Sequence, residues 1–159
     1  MKLIAHRALL NGPNQSLENR PEQISFVLEK GYEAEVDVWM EKDQWWLGHD
    51  KPTYKTSLDF LKQTGLWIHT KNFEAADGLL SLINQGWNFN VFSHDSDDRT
   101  LTSHGFWWTY PQQKLGKFSI SVMPEWYIHM SDLPELPLKL NCAGICSDWV
   151  EIMKKGEPK

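Results

Sequence analysis

Glu35 and Asp37 lie two residues apart in the alternating stretch Ala34-Glu35-Val36-Asp37-Val38. A β-strand sends alternate side chains to one face, so this spacing predicts two carboxylates pointing the same way. Side by side, such groups repel unless a cation lies between them. His6 and Arg7 follow the apolar run Leu3-Ile4-Ala5, and His49-Asp50 follows the carboxylate pair. Two histidines beside a carboxylate-held metal supply a general acid and a general base. An imidazole of ordinary pKa, ~6.5, serves in either protonation state near neutrality. The chemistry predicted from these residues is metal-assisted hydrolysis.

Such groups need strands that end on a common rim. Apolar patterning predicts strands over residues 3–7, 34–39, 44–49, 66–71, 88–93, 105–109, 118–123 and 143–147. Pro21 suits the first turn of a helix in which Ile24, Val27 and Leu28 form a stripe, closed by Gly31. An Asp43-Gln44 turn joins 34–39 to 44–49 as a hairpin and returns His49 towards the second strand. Ser57 to Leu61 suggests a short helix. A fuller one covers 73–85, with Leu79, Leu80, Leu82 and Ile83 inward and Gly86 at its C′ position.

This alternation predicts parallel βα units, whose reactive groups gather at the strands' carboxyl ends. His6 and Arg7 then close the first strand, Glu35 and Asp37 lie on the second, and His69 and Lys71 close the third. In the second half, 94–104 and 110–117 are short and polar, and 124–142 holds three prolines. With 44–49 used in the hairpin, seven barrel strands remain. Either another hides in 133–140, or the barrel is reduced and partly open. The expected fold is α/β: a compact or reduced (β/α) barrel of the TIM type, its second-half helices short or missing, in one domain over 1–159.

At these residues the chain resembles the glycerophosphodiester phosphodiesterase family, a branch of the phosphatidylinositol-phospholipase-C-like barrels. That family carries His-Arg after its first strand, Glu-Asn in the next loop, Glu-x-Asp on its second strand and His-Asp after a hairpin. Here these are His6-Arg7, Glu18-Asn19, Glu35-Val36-Asp37 and His49-Asp50, in the same order. The family's third strand ends Glu-x-Lys, matched by His69-Thr70-Lys71 with the lysine kept and the carboxylate replaced. Gly144-Ile145-Cys146-Ser147-Asp148 resembles its last strand. The likeness is dense over 3–71 and thin from there to Gly144. The family insertion between strands two and three, which shapes the glycerol side, is missing. An ordinary eight-unit barrel takes at least ~200 residues, against 159 here.

The resemblance implies hydrolysis of a small, glycerophosphodiester-like phosphodiester, a reaction of lipid metabolism. It implies His6 and His49 as the acid/base pair, and Arg7 and Lys71 on phosphate oxygens. Glu35, Asp37 and His69 would surround one divalent ion. Oxygen ligands favour Mg²⁺ or Ca²⁺, whereas a His69 nitrogen tilts the site towards Mn²⁺ or Zn²⁺. Two other readings compete: a phospholipase or lyase releasing a cyclic phosphate, and a non-catalytic barrel whose tryptophans hold a sugar or a choline-like cation. Glu18 and Asn19 read as organisers of the loop backbone, and Asp148 as either a cap or a group behind the site. Asp95-Ser96-Asp97-Asp98 lacks the glycine and terminal glutamate of an EF-hand and reads as a solvated turn. His94, His104 and His129 carry no assignment.

A net charge of −5 and a pI near 5.6 supply no electrostatic footprint for nucleic acid or an anionic membrane. No stretch approaches the ~18 apolar residues of a membrane span. Met1 leads straight into a strand, so no signal peptide is expected. Cys142 and Cys146, set in an apolar segment, read as reduced packing thiols. The expected location is the cytoplasm and the expected partner a small phosphodiester. Nine tryptophans are unusual; in Trp45-Trp46 and Trp107-Trp108 strand alternation predicts one member of each pair exposed or lining a cleft.

Overall fold

The structure, a computed structural model, describes residues 1–155. Strand β1 (Lys2–Ala5) stops two residues earlier than its apolar pattern suggested, and His6–Ala8 form a single 3-10 turn. Arg7 and Ala8 there hold positive φ angles of 49° and 62°, which no strand accommodates. His6 and Arg7 therefore sit on a turn just beyond the strand. Helix α1 (Pro21–Glu29) buries Ile24 and Val27, and the chain reverses at Gly31.

Strand β2 (Glu33–Glu41) outruns its predicted limits because its two halves have different partners. Its first half pairs in parallel with β1, and its second half pairs antiparallel with β3 (Gln44–Leu47). The turn is Lys42-Asp43, with φ of 51° and 59°, and not the expected Asp43-Gln44, because Gln44 already pairs with Glu41; these are the left-handed residues that a two-residue hairpin requires. A third strand, β4 (Tyr54–Thr56), extends the hairpin; nothing in its short, mixed sequence announced it. Helix α2 (Leu58–Leu61) follows, its N-cap Ser57 accepting the Phe60 N–H.

Strand β5 (Leu66–Thr70) pairs in parallel with β2 and leads to helix α3 (Phe73–Asn84), capped by Asn72. This helix buries Ala75 and Leu79. Leu80, expected inward, is 54% exposed, since it lies about 100° round the helix from Leu79. Strand β6 (Val91–Ser93) joins β5, while β7 (Arg99–Leu101) runs antiparallel to β8 (Trp107–Thr109). Strand β9 (Ser119–Val122) lies between β8 and β10 (Gly144–Ser147). No strand hides in 133–140: 3-10 turns run into helix α4 (Leu136–Lys139), where Pro134 and Pro137 would have broken a ladder. Helix α5 (Val150–Lys155) is the last element.

The parallel strands lie side by side in the order β6-β5-β2-β1-β10-β9-β8. They correspond to the seven strands expected from the sequence apart from the hairpin strand, and β1 sits between the second and the last of them. The sheet curls into a half-barrel with helices around it. Between β6 and β8 there is no ladder; Ser103 bridges β6 instead, its N–H reaching Val91 O and its hydroxyl accepting the Val91 N–H, each at 2.8 Å. Inside the curl, Ile4, Trp67, Phe92, Trp108, Ile120 and Cys146 form one apolar cluster. Phe92 and Trp108 stack at 4.5 Å across the missing ladder. Trp107, beside Trp108 on β8, is 44% exposed, as alternation required. A second cluster lies outside the sheet, where Val36, Val38, Ile68 and Ile145 meet Ile24, Val27, Leu79 and Met153. Among the described residues, no helix is long and apolar enough to cross a membrane.

Gly144 shows why the last strand begins with glycine. A Cβ there would lie 2.8 Å from Lys2 Cβ and 2.9 Å from Lys2 O on the neighbouring strand. Gly144→Ala is expected to destabilise the fold by about 1–3 kcal/mol, the usual cost of overpacking. A lowered urea midpoint with unchanged slope would show it.

Candidate active site

Strand β2 turns Glu33, Glu35 and Asp37 into the curl while Ala34, Val36 and Val38 enter the outer core. Glu33, at the foot of the strand, is neutralised by Lys2 Nζ and receives the Trp67 indole N–H, each at 2.6 Å. Glu35 and Asp37 are 2% and 1% exposed. Carboxylates so buried persist only with charge and hydrogen-bond partners. Glu35 Oε2 accepts the Arg7 main-chain N–H at 2.9 Å, which ties the strained turn after β1 to β2. Asn19 clamps Asp37 twice, donating to Oδ2 and accepting the Asp37 N–H, both at 2.8 Å. His69 Nδ1 lies 3.0 Å from Asp37 Oδ1 and 3.7 Å from Glu35 Oε1. Lys71 Nζ is 3.4 Å from Asp37 Oδ1, and Arg7 Nε is 3.8 Å from Oδ2.

The partners are divided unequally, so the two acids separate. Burial favours the neutral form of Asp37, but His69, Lys71 and Asn19 outweigh it and hold the carboxyl below its ordinary range. Glu35 is pushed up by burial and by the charge of Asp37, with His6, His69 and the Arg7 N–H opposing in part. Neighbouring acids whose pKa values are driven apart are a mark of functional sites.

Glu18 and Asn19 correct the sequence reading. Glu18 Oε2 accepts from Arg7 Nη1 at 3.0 Å, and the wholly buried Asn19 serves β2. Their own loop is organised instead by Asn14, which accepts the Ser16 N–H and hydroxyl. Asn19 has φ of 56°, and that left-handed backbone belongs to the turn that faces it towards Asp37.

His6 Nδ1 is 2.8 Å from Asp148 Oδ1, just past β10, so Nε2 is the nitrogen left over. Burial lowers the His6 pKa, but the Asp148 bond and the charges of Glu35 and Asp148 prevail and raise it. His49 Nδ1 is 2.6 Å from Asp50 Oδ1. The hairpin brings His49 back, and Gly48 (φ 145°) allows the return: a Cβ there would clash with Lys51 O. His69 stacks on Phe92 with ring centroids 5.0 Å apart.

His6, Arg7, Glu35, Asp37, His49, His69 and Lys71 all line one cleft of about 320 Å³ at the carboxyl ends of the strands. The cleft is also lined by Trp108, from a pair expected to expose one member or line a cleft, and by His94, Tyr110 and Trp126, which the sequence reading missed. The His94 ring stacks on Tyr110 at 3.9 Å. Burial and the nearby His69 lower its pKa. Its only sequence signal was a position one residue beyond a strand. Asp95 also borders the cleft, and the rest of the 95–98 run is an exposed turn, as expected.

Ligand atoms of Glu35, Asp37 and His69 lie within 4.8 Å of one another. That separation suits one divalent ion with bonds of about 2.0–2.6 Å. The repulsion left on Glu35 after these partners is what a bound cation would compensate. Comparison with protein-family models, with curated proteins and with solved structures gives no match.

A raised folded-state pKa means that Glu35 stabilises the fold below its ordinary value of 4.5 and loses that contribution as pH rises through the folded value. At neutral pH, Glu35→Gln should therefore stabilise the metal-free protein, by about 2–4 °C in Tm per kcal/mol relieved. It should also abolish the Tm rise on adding Mn²⁺. Thermal scans with and without the metal test both; a lower metal-free Tm contradicts the assigned repulsion.

Proposed function

We propose that this protein is a metal-dependent phosphodiesterase of the glycerophosphodiester phosphodiesterase type, acting on a small phosphodiester through a two-histidine acid/base mechanism. One observation carries the reading: two histidines, each engaged at Nδ1 by a carboxylate, share a cleft with the buried Glu35–Asp37 pair and with Arg7 and Lys71. We read the half-barrel as a seven-stranded relative of the (β/α) barrel. Its first strand lies between the second and the last, the neighbourhood that barrel closure creates, and the site lies at the strands' carboxyl ends.

Arg7 and Lys71 bring positive charge to the substrate's phosphate oxygens, the guanidinium through its planar fork. His6, whose pKa is raised by Asp148 and Glu35, is the general acid and gives its Nε2 proton to the leaving alkoxide. His49 takes the proton of the attacking hydroxyl or water. Glu35, Asp37 and His69 would hold the divalent cation, which when bound supplies charge neutralisation at a non-bridging oxygen. Trp108, Tyr110 and Trp126 offer the leaving alcohol an aromatic wall.

Hydrolysis of bis-p-nitrophenyl phosphate, stimulated by Mn²⁺ or Mg²⁺ and lost with EDTA, is the direct test. His6→Ala and His49→Ala should each cost about 10²–10⁴-fold in rate while leaving the circular dichroism unchanged. Wild-type rates in either variant would sink the mechanism. With His6 as the acid, the alkaline limb of kcat/KM should lie above histidine's ordinary ~6.5.

His69 as a ligand must compete with its own protonation. Mn²⁺ affinity should then weaken more steeply in wild type than in His69→Ala as pH falls below ~6.5. Calorimetry of wild type and His69→Ala between about pH 5.5 and 8 decides; equal affinities throughout would remove His69 from the metal shell.

A further inference from the structure

Glu125 lies outside the cleft lining, in the Pro124–Trp126 turn that follows β9. Met123, immediately before it, holds left-handed backbone (φ 45°), and its N–H bonds to Cys146 O on β10 at 2.8 Å. The sharp turn swings Glu125 across the end of β10. There one oxygen is used twice: Oε1 accepts the Ser147 hydroxyl at 2.7 Å and the Asp148 main-chain N–H at 2.9 Å. Ser147 is wholly buried, and its own oxygen accepts the Trp149 N–H at 3.0 Å. On the other side of Asp148, its carbonyl takes the Gly12 N–H at 2.8 Å. The residue so fixed is the one whose carboxylate meets His6 Nδ1.

We propose that Glu125 is a positioning residue for His6. By fixing Ser147 and the main chain of Asp148, it sets the Asp148 carboxylate against Nδ1 and leaves Nε2 as the nitrogen facing the cleft. The effect on rate rests on the acid role assigned to His6 above; the effect on the imidazole does not. Glu125 Oε2 is buried and has no hydrogen-bond partner among the described residues. Burial raises the Glu125 pKa, and Asp148's charge adds to it, against the hydrogen bonds from Ser147 and Asp148. A neutral Glu125 retains Oε1 as the acceptor for both donors and adds no second negative charge beside Asp148. Glutamine has the same acceptor in the same place.

The test is ¹⁵N NMR of the His6 imidazole across pH, with its signals assigned by their loss in His6→Ala. It compares wild type, Glu125→Ala, Glu125→Gln and Ser147→Ala, each also assayed on bis-p-nitrophenyl phosphate. Around His6 the charged groups are Asp148 beyond β10, Glu35 on β2 and the adjacent Arg7. None is altered by these substitutions. Glu125→Ala should mix the His6 tautomers, lower its pKa and cut kcat by about 10–10²-fold, as a misplaced catalytic group does. KM should change little. Glu125→Gln should restore the wild-type tautomer, titration and rate, and Ser147→Ala should fall between.

A wild-type tautomer and titration in Glu125→Ala overturns the proposal. So does a glutamine variant as impaired as the alanine one. If Glu125→Ala does not fold, an unshifted His6 in Ser147→Ala overturns it, and a shifted one supports it. A wild-type protein that hydrolyses nothing, yet shows the expected NMR pattern, refutes the proposed function and leaves the positioning role standing.

Discussion

Placing Glu35 and Asp37 at adjacent inward positions of one strand is the constraint around which the rest of the structure is arranged. Two carboxylates this deeply buried are unfavourable alone. Their partners come from four places in the chain: the turn after β1, the loop before α1, the end of β5 and the residue after it. Each partner is also held. Arg7 is bonded by Glu18, His69 lies flat on Phe92, and Asn19 is anchored to the β2 main chain. The left-handed backbone at Arg7, costly for a residue with a side chain, aims the peptide N–H that Glu35 accepts. That hydrogen bond, which the strained turn makes possible, counters part of the repulsion on β2.

The same strand explains how few strands suffice. Its inward face is charged, so the apolar interior is supplied by the other strands, and it is unusually aromatic there. Trp67, Phe92 and Trp108 reach across the place where β6 and β8 are not laddered. Large rings fill the width that another strand would have occupied. The result is a cleft lined by charged side chains together with Trp108, Tyr110 and Trp126.

Much of this was legible in the residues. Every parallel strand was visible as a short apolar run, and the hairpin that returns His49 was visible too, its turn one residue out of place. Alternation alone put Glu35 and Asp37 on one face and separated Trp107 from Trp108. What escaped notice depended on contacts distant in sequence. Strands β4 and β7 are three residues long, with Lys55 and Arg99 exposed, and exist only because a neighbour offers a ladder. Asn19 looked like a turn residue because its composition fits a turn; that it reaches β2 is a tertiary fact. His94 and Glu125 belong to no motif; only folding brings His94 into the cleft and Glu125 against Ser147 and Asp148 behind it.

Pairing β1 with β10 joins residues more than a hundred positions apart; His6 and Asp148 are separated by 142. Contacts of that span are closed late and slowly, because the chain loses loop entropy before they form. The β2–β3 hairpin, by contrast, is local and needs nothing beyond its own turn. During synthesis the carboxylate pair therefore emerges with its hairpin long before β10 exists to complete the rim. Until then His6 lacks the partner that fixes its ring, and the Ile4 face of β1 lacks its cover. The nascent chain passes through an interval in which its most highly charged strand is made and its neighbourhood is not. For a chain of this topology, that interval is where a chaperone or a protease would find its opportunity.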